Sequence, residues 1–73
     1  MRKIFELENL ECAHCAAKME RDISAFEEVT KCTITFMTSR MSITVSDDAD
    51  LEAVLDKAQK VMHSYEKDCT IVR

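Results

Sequence analysis

The apolar residues of this chain switch repeatedly between a spacing of two and a spacing of three to four, and the order of those switches limits the fold more than any motif. In KIFELENL, Phe5 and Leu7 share one side of a short alternating run, so a first strand is expected over residues 2–8. From Ala13 the steps lengthen to Ala16, Met19, Ile23 and Phe26, with Lys18, Glu20, Arg21 and Asp22 between them. That pattern predicts an amphipathic helix over 13–26. The period then returns to two, with Cys32, Ile34 and Phe36 on one face and Thr33, Thr35 and Met37 on the other, giving a strand over 30–37. TSR reads as a polar turn into a third strand, in which Met41, Ile43 and Val45 alternate with Ser42, Thr44 and Ser46, so an antiparallel hairpin is expected. SDDAD supplies N-capping side chains for a second helix. Its broad apolar face carries Leu51, Val54, Leu55, Ala58, Val61 and Met62, and it runs to about His63. EKDCTIVR closes the chain as a strand with Cys69 and Ile71 on one side.

The resulting order is βαββαβ. Two helices that each need one face covered, and four strands, are most economically arranged as a four-stranded antiparallel sheet with both helices on one face. This α+β arrangement is the ferredoxin-like sandwich. At 73 residues the whole chain, 1–73, is expected to be one domain with a small core and modest stability. It contains no glycine and no proline, so the turns fall to Asn, Asp, Ser, Glu and Lys. Arg73 follows directly on the last expected strand, which suits a domain edge, and a freestanding chain and the head of a transporter both stay open.

Charge and hydropathy exclude several function classes. A net charge of −4 disfavours a nucleic-acid partner and suits a cationic ligand or a basic protein. No apolar run approaches the roughly 18 residues that span a bilayer, and the start of the chain is too polar for a signal peptide. A cytoplasmic location is expected. Four cysteines could form a disulfide scaffold, but the segments between them are regular rather than loop-rich, which fits free thiols in a reducing compartment.

The chemistry concentrates in NLECAHC, residues 9–15. This segment bridges the first strand and the first turn of the first helix. Cys15 would lie within that turn, where unpaired N–H groups favour an anion, so its thiol is expected to ionise more readily than a free one. Cys12 can fold back to give two sulfurs facing one thiophilic ion. Two sulfurs satisfy Cu(I), whereas Zn(II) or Cd(II) needs further donors, and Glu11 can supply a carboxylate oxygen.

With these residues in place, the chain resembles the heavy-metal-associated domain family of small metallochaperones and of N-terminal domains of heavy-metal-transporting P-type ATPases. The family loop usually reads Gly-Met-Thr-Cys-x-x-Cys, and NLECAHC aligns Cys12 and Cys15 with its two metal ligands. AAKME resembles the family's first helix, with Met19 at a core position, and VTKCTITFMTSRMSITV resembles its hairpin. Asn9 stands for the usual glycine, Leu10 for the methionine and Glu11 for the threonine. Leu10 keeps an apolar plug under the loop. An acid directly before the first cysteine is similar to the zinc, cadmium and lead branch, which implies Zn(II), Cd(II) or Pb(II) on Cys12, Cys15 and Glu11, and a transporting ATPase as partner. Tyr65 implies the opposite choice, because it resembles the loop tyrosine that faces the metal in bacterial copper chaperones. No residues that could bind ATP or form an aspartyl phosphate are present, so catalysis would belong to a parent chain.

Other readings apply to the same residues. A CxxC pair can also be a thiol–disulfide oxidoreductase site, although the chain is short for a thioredoxin fold and lacks Trp and Pro beside the cysteines. His14 is expected to face solvent, His63 to complement the end of the second helix, and Lys18 to offset a dithiolate complex or lie free on the helix. Cys32 reads as a small buried hydrophobe, Cys69 as core or edge, and a disulfide between them stays open. The methionines fit packing positions. A monomer is expected, with a metal-bridged dimer as the alternative.

Overall fold

The computed structural model describes residues 1–73. Its elements are β1 (Arg2–Glu8), α1 (Ala13–Ser24), β2 (Val29–Thr35), β3 (Arg40–Val45), α2 (Leu51–Tyr65) and β4 (Thr70–Val72). They form one four-stranded sheet in the spatial order β2-β3-β1-β4. Every neighbouring pair is antiparallel, with Phe5 opposite Met41, Leu7 opposite Ile71 and Cys32 opposite Ile43. The expected ferredoxin-like α+β sandwich is the fold observed.

Alternation along each strand sends one set of side chains inward. Met41, Ile43 and Val45 line the middle of the sheet and are buried. Ala16, Met19 and Ile23 from α1, and Val54, Leu55, Ala58 and Met62 from α2, join them in one cluster of 16 buried residues. Both helices therefore cover the same sheet face. The opposite face carries Thr33, Thr35, Ser42 and Thr44, none of them buried, and no polar or charged residue is buried anywhere.

Several boundaries differ from the sequence reading. Helix α1 ends at Ser24 instead of residue 26, because its last turn tightens: Ala25 and Phe26 donate to the carbonyls of Asp22 and Ile23. Strand β2 starts at Val29, kinks between Val29 and Lys31, and stops at Thr35. The hairpin turn is thus Phe36–Ser39, closed by the Ser39 N–H on the Phe36 carbonyl at 3.2 Å, with Ser39 at φ 52°. Phe36 leaves the inward face assigned to it, and Met37 is 89% exposed at the tip. Helix α2 continues past His63 to Tyr65, and β4 shrinks to three residues. Cys69 lies just before β4 and is fully buried, on the same side as Ile71 as the alternation requires.

The disulfide left open between Cys32 and Cys69 does not exist. Both thiols are free. β2 and β4 are the opposite edges of the sheet, and three strand spacings of ~4.8 Å put them about 14 Å apart, far beyond the reach of one S–S bond.

Candidate metal centre

The β1–α1 connection is shaped by two backbone requirements. Asn9 sits at φ 61°, the left-handed region open to Asn and Gly but costly for most other residues. Its side-chain amide donates to the Asp68 carbonyl at 3.2 Å, tying this loop to the α2–β4 loop. Leu10 then turns inward and is only 8% exposed, anchoring the loop in the core. Glu11 and His14 are exposed, whereas Cys12 and Cys15 are half-buried at the surface end of α1.

Cys12 is the N-cap of α1: its backbone is extended and its sulfur accepts the Cys15 N–H at 3.1 Å. The electrostatic consequence reverses the sequence expectation. Hydrogen bonding from the Cys15 thiol, then from the Cys15 N–H, holds the Cys12 thiol below its ordinary value. Cys15 is pushed up, first by its hydrogen bond to the Cys12 sulfur and then by desolvation. The helix start does stabilise a thiolate, but at the capping position. Cys15 lies inside the first turn and gives its own N–H to the cap.

A residue the sequence reading missed stands over this site. The half-buried Glu66 carboxylate accepts the Glu11 N–H with both oxygens, at 3.1 and 3.3 Å. Its charge opposes ionisation of both Cys12 and Cys15. Glu66 lies far along the chain from Cys12, beyond the second helix, and no local pattern marks it. Lys18 acts the other way, lowering the Cys15 thiol by its charge, as its place one turn along α1 suggested.

Tyr65 is not in a loop. It is the last residue of α2, and its hydroxyl donates to the Asp22 carboxylate on α1, while the Lys18 ammonium lies 6.0 Å from its ring centroid. Its hydroxyl is therefore engaged two turns beyond Cys15. The three inward methionines, Met19, Met41 and Met62, have no exposure at all, and the exposed Met37 sits at the hairpin tip, so none joins the sulfurs. No group of three or more His, Cys, Asp or Glu side chains is gathered for a metal, and Glu11 is exposed.

The chain matches the family described as heavy-metal-associated domain over residues 4–68. It belongs to that family. Such a domain is a metal-binding module. Over 66 residues the domain is 30% identical to a cadmium, zinc and cobalt-transporting ATPase of Helicobacter pylori, a match covering 90% of this chain and 10% of the ATPase. Over 53 residues it is 34% identical to a probable cadmium-transporting ATPase of Listeria monocytogenes, covering 73% of this chain and 7% of that protein. The chain thus spans about a tenth or less of these relatives, which are enzymes as whole proteins. Its fold is shared with the yeast copper transporter domain Ccc2a, at a TM-score of 0.71 and 22% identity, over 99% of this chain and 94% of that one. No helix of the domain is long and apolar enough to cross a membrane.

Proposed function

We propose that this domain captures Zn(II) or Cd(II), with Pb(II) as a further candidate, on the sulfurs of Cys12 and Cys15, assisted by the Glu11 carboxylate. It would pass the ion to, or regulate, a metal-transporting ATPase on the cytoplasmic side of a membrane. One observation carries the proposal: two adjacent thiols stand half-exposed at a helix N-terminus, one held towards its thiolate, with acidic side chains on both flanks and an incomplete donor set. Each thiol gives up its proton when it takes the ion. An open shell admits a partner's thiolates, so the ion moves through intermediates in which sulfurs of both proteins share it, and bonds form before others break. Support for the divalent choice comes from Glu11 and Glu66, whose charges favour a dication over a monocation. The likeness to ATPases named for cadmium and zinc supports it as well.

A second reading, Cu(I) on the two sulfurs alone, is favoured by the absence of a third gathered donor, since a soft monovalent ion is satisfied by two thiolates. The test is a competition titration of the reduced domain with Zn(II), Cd(II) and Cu(I), beside Glu11→Ala and Glu66→Ala. The divalent reading expects stoichiometric Zn(II) and Cd(II) complexes, weakened in Glu11→Ala by about tenfold or more while Cu(I) is unaffected. Retention of Cu(I) alone would overturn the divalent choice, and unchanged Cd(II) affinity in Glu11→Ala would remove that residue from the site. Turnover of a disulfide substrate would instead favour the oxidoreductase reading of the pair.

A further inference from the structure

Both edges of the sheet are closed by helix side chains. On β4, Gln59 of α2 reaches over the edge: its amide nitrogen donates to the Cys69 carbonyl at 2.7 Å, and its amide oxygen accepts the Ile71 N–H at 2.8 Å. On β2, α1 divides the same task between two residues one turn apart. The Ser24 hydroxyl donates to the Cys32 carbonyl at 3.3 Å, and the Glu20 carboxylate accepts the Ile34 N–H at 2.6 Å. In each case the occupied groups are the carbonyl of one residue and the N–H two residues later, groups that a strand added to that edge would bond. Each helix caps the edge strand that follows it in the chain.

Of the other protections of an edge, β2 has Lys31 and a register shift between Val29 and Lys31, and β4 has only its three-residue length. The chain contains no proline, and β4, Thr70–Val72, carries no charge and exposes 40% of Val72. An uncapped edge of this kind is a template for another strand. The Gln59 amide nitrogen also lies 3.1 Å from His63 Nε2, one turn along α2. None of these capping residues belongs to the metal loop.

We propose that Gln59 on one edge, and Glu20 with Ser24 on the other, are edge guards that keep two copies of this chain from pairing strand to strand. The occupant they exclude is a second copy, meeting the first across β4 about a two-fold axis, because antiparallel pairing of identical edges is self-complementary. The guards act without metal, so the inference stands apart from the identity of the ion.

The test uses the reduced chain with chelator present, which removes metal-bridged association. Sedimentation velocity over a concentration series and amide exchange at Ile71 and Ile34 are measured for the wild type, Gln59→Leu and the double variant Glu20→Leu/Ser24→Ala. The wild type is expected to stay monomeric, with exchange at both amides independent of concentration. Gln59→Leu should double in mass as concentration rises, and its Ile71 N–H should exchange faster when dilute and slower when concentrated. The double variant should behave likewise at Ile34, and it carries the test if Gln59→Leu loses its helical circular dichroism. A monomeric, folded Gln59→Leu at every concentration overturns the proposal. So does association that leaves the Ile71 amide unprotected, or a wild type that already pairs.

Discussion

Leu10 offers the sharpest test of how the core supports the metal loop. It is 8% exposed and lies two residues before Cys12, so truncating it removes three buried carbons directly beneath the loop. At ~0.8 kcal/mol per carbon the transfer loss is about 2.4 kcal/mol, near the lower end of the roughly 2–5 kcal/mol seen when Leu becomes Ala. The lower end applies because a surface loop can settle partly into the gap. A chain of 73 residues has roughly 4–11 kcal/mol of total stability, so Leu10→Ala remains at least about nine-tenths folded at 25 °C. Its melting temperature should fall by about 10–20 °C. Leu10→Met keeps the volume and should cost less than ~1.5 kcal/mol. Urea unfolding of the reduced, chelated protein measures both changes, and Cd(II) competition on the folded variants measures the loop. Affinity should drop in Leu10→Ala and hold in Leu10→Met. A Leu10→Ala cost within ~0.5 kcal/mol of zero, as for an ordinary surface site, would refute the plug.

Two further outcomes follow from the ionisable groups. In the native protein Cys12 should alkylate first at neutral pH, Cys15 more slowly, and Cys32 and Cys69 scarcely at all, because burial pushes the last two up to about 12 and about 11. Peptide mapping by mass spectrometry checks this, and a native protein in which Cys15 reacts before Cys12 would contradict the capping assignment. The Tyr65 hydrogen bond lowers the Asp22 carboxyl and raises the Tyr65 hydroxyl. Its stabilisation is therefore present above the ordinary carboxyl range and fades as pH falls through the native Asp22 value. At the alkaline end it is present below the ordinary tyrosine range and fades as pH rises through the native Tyr65 value. Tyr65→Phe should move the Asp22 carboxyl up in an NMR titration and flatten both limbs, and an unmoved Asp22 would show that the bond does not form in solution.

The element order, the inward set of most strands and helices, and the cysteine pair on a strand-to-helix loop are legible in the amino-acid spacing, because each depends on only a few neighbouring residues. Asn9 stands where the family usually has a glycine, and the structure gives the reason, a left-handed backbone at φ 61°. The hairpin was read two residues late, since Phe36 and Met37 continue the alternation in composition while the chain is already turning. Local reasoning also located the helix-start effect but assigned it to Cys15, because which sulfur receives the N–H depends on the loop's path, not on distance along the helix. The rest belongs to tertiary structure. Extending α2 by two residues past His63 places Tyr65 against Asp22 and brings Glu66 onto the Glu11 N–H, and those contacts span 43 and 55 positions. Only closure of the sheet, with β4 beside β1, brings the end of α2 to the metal loop. No periodicity in the chain encodes that approach.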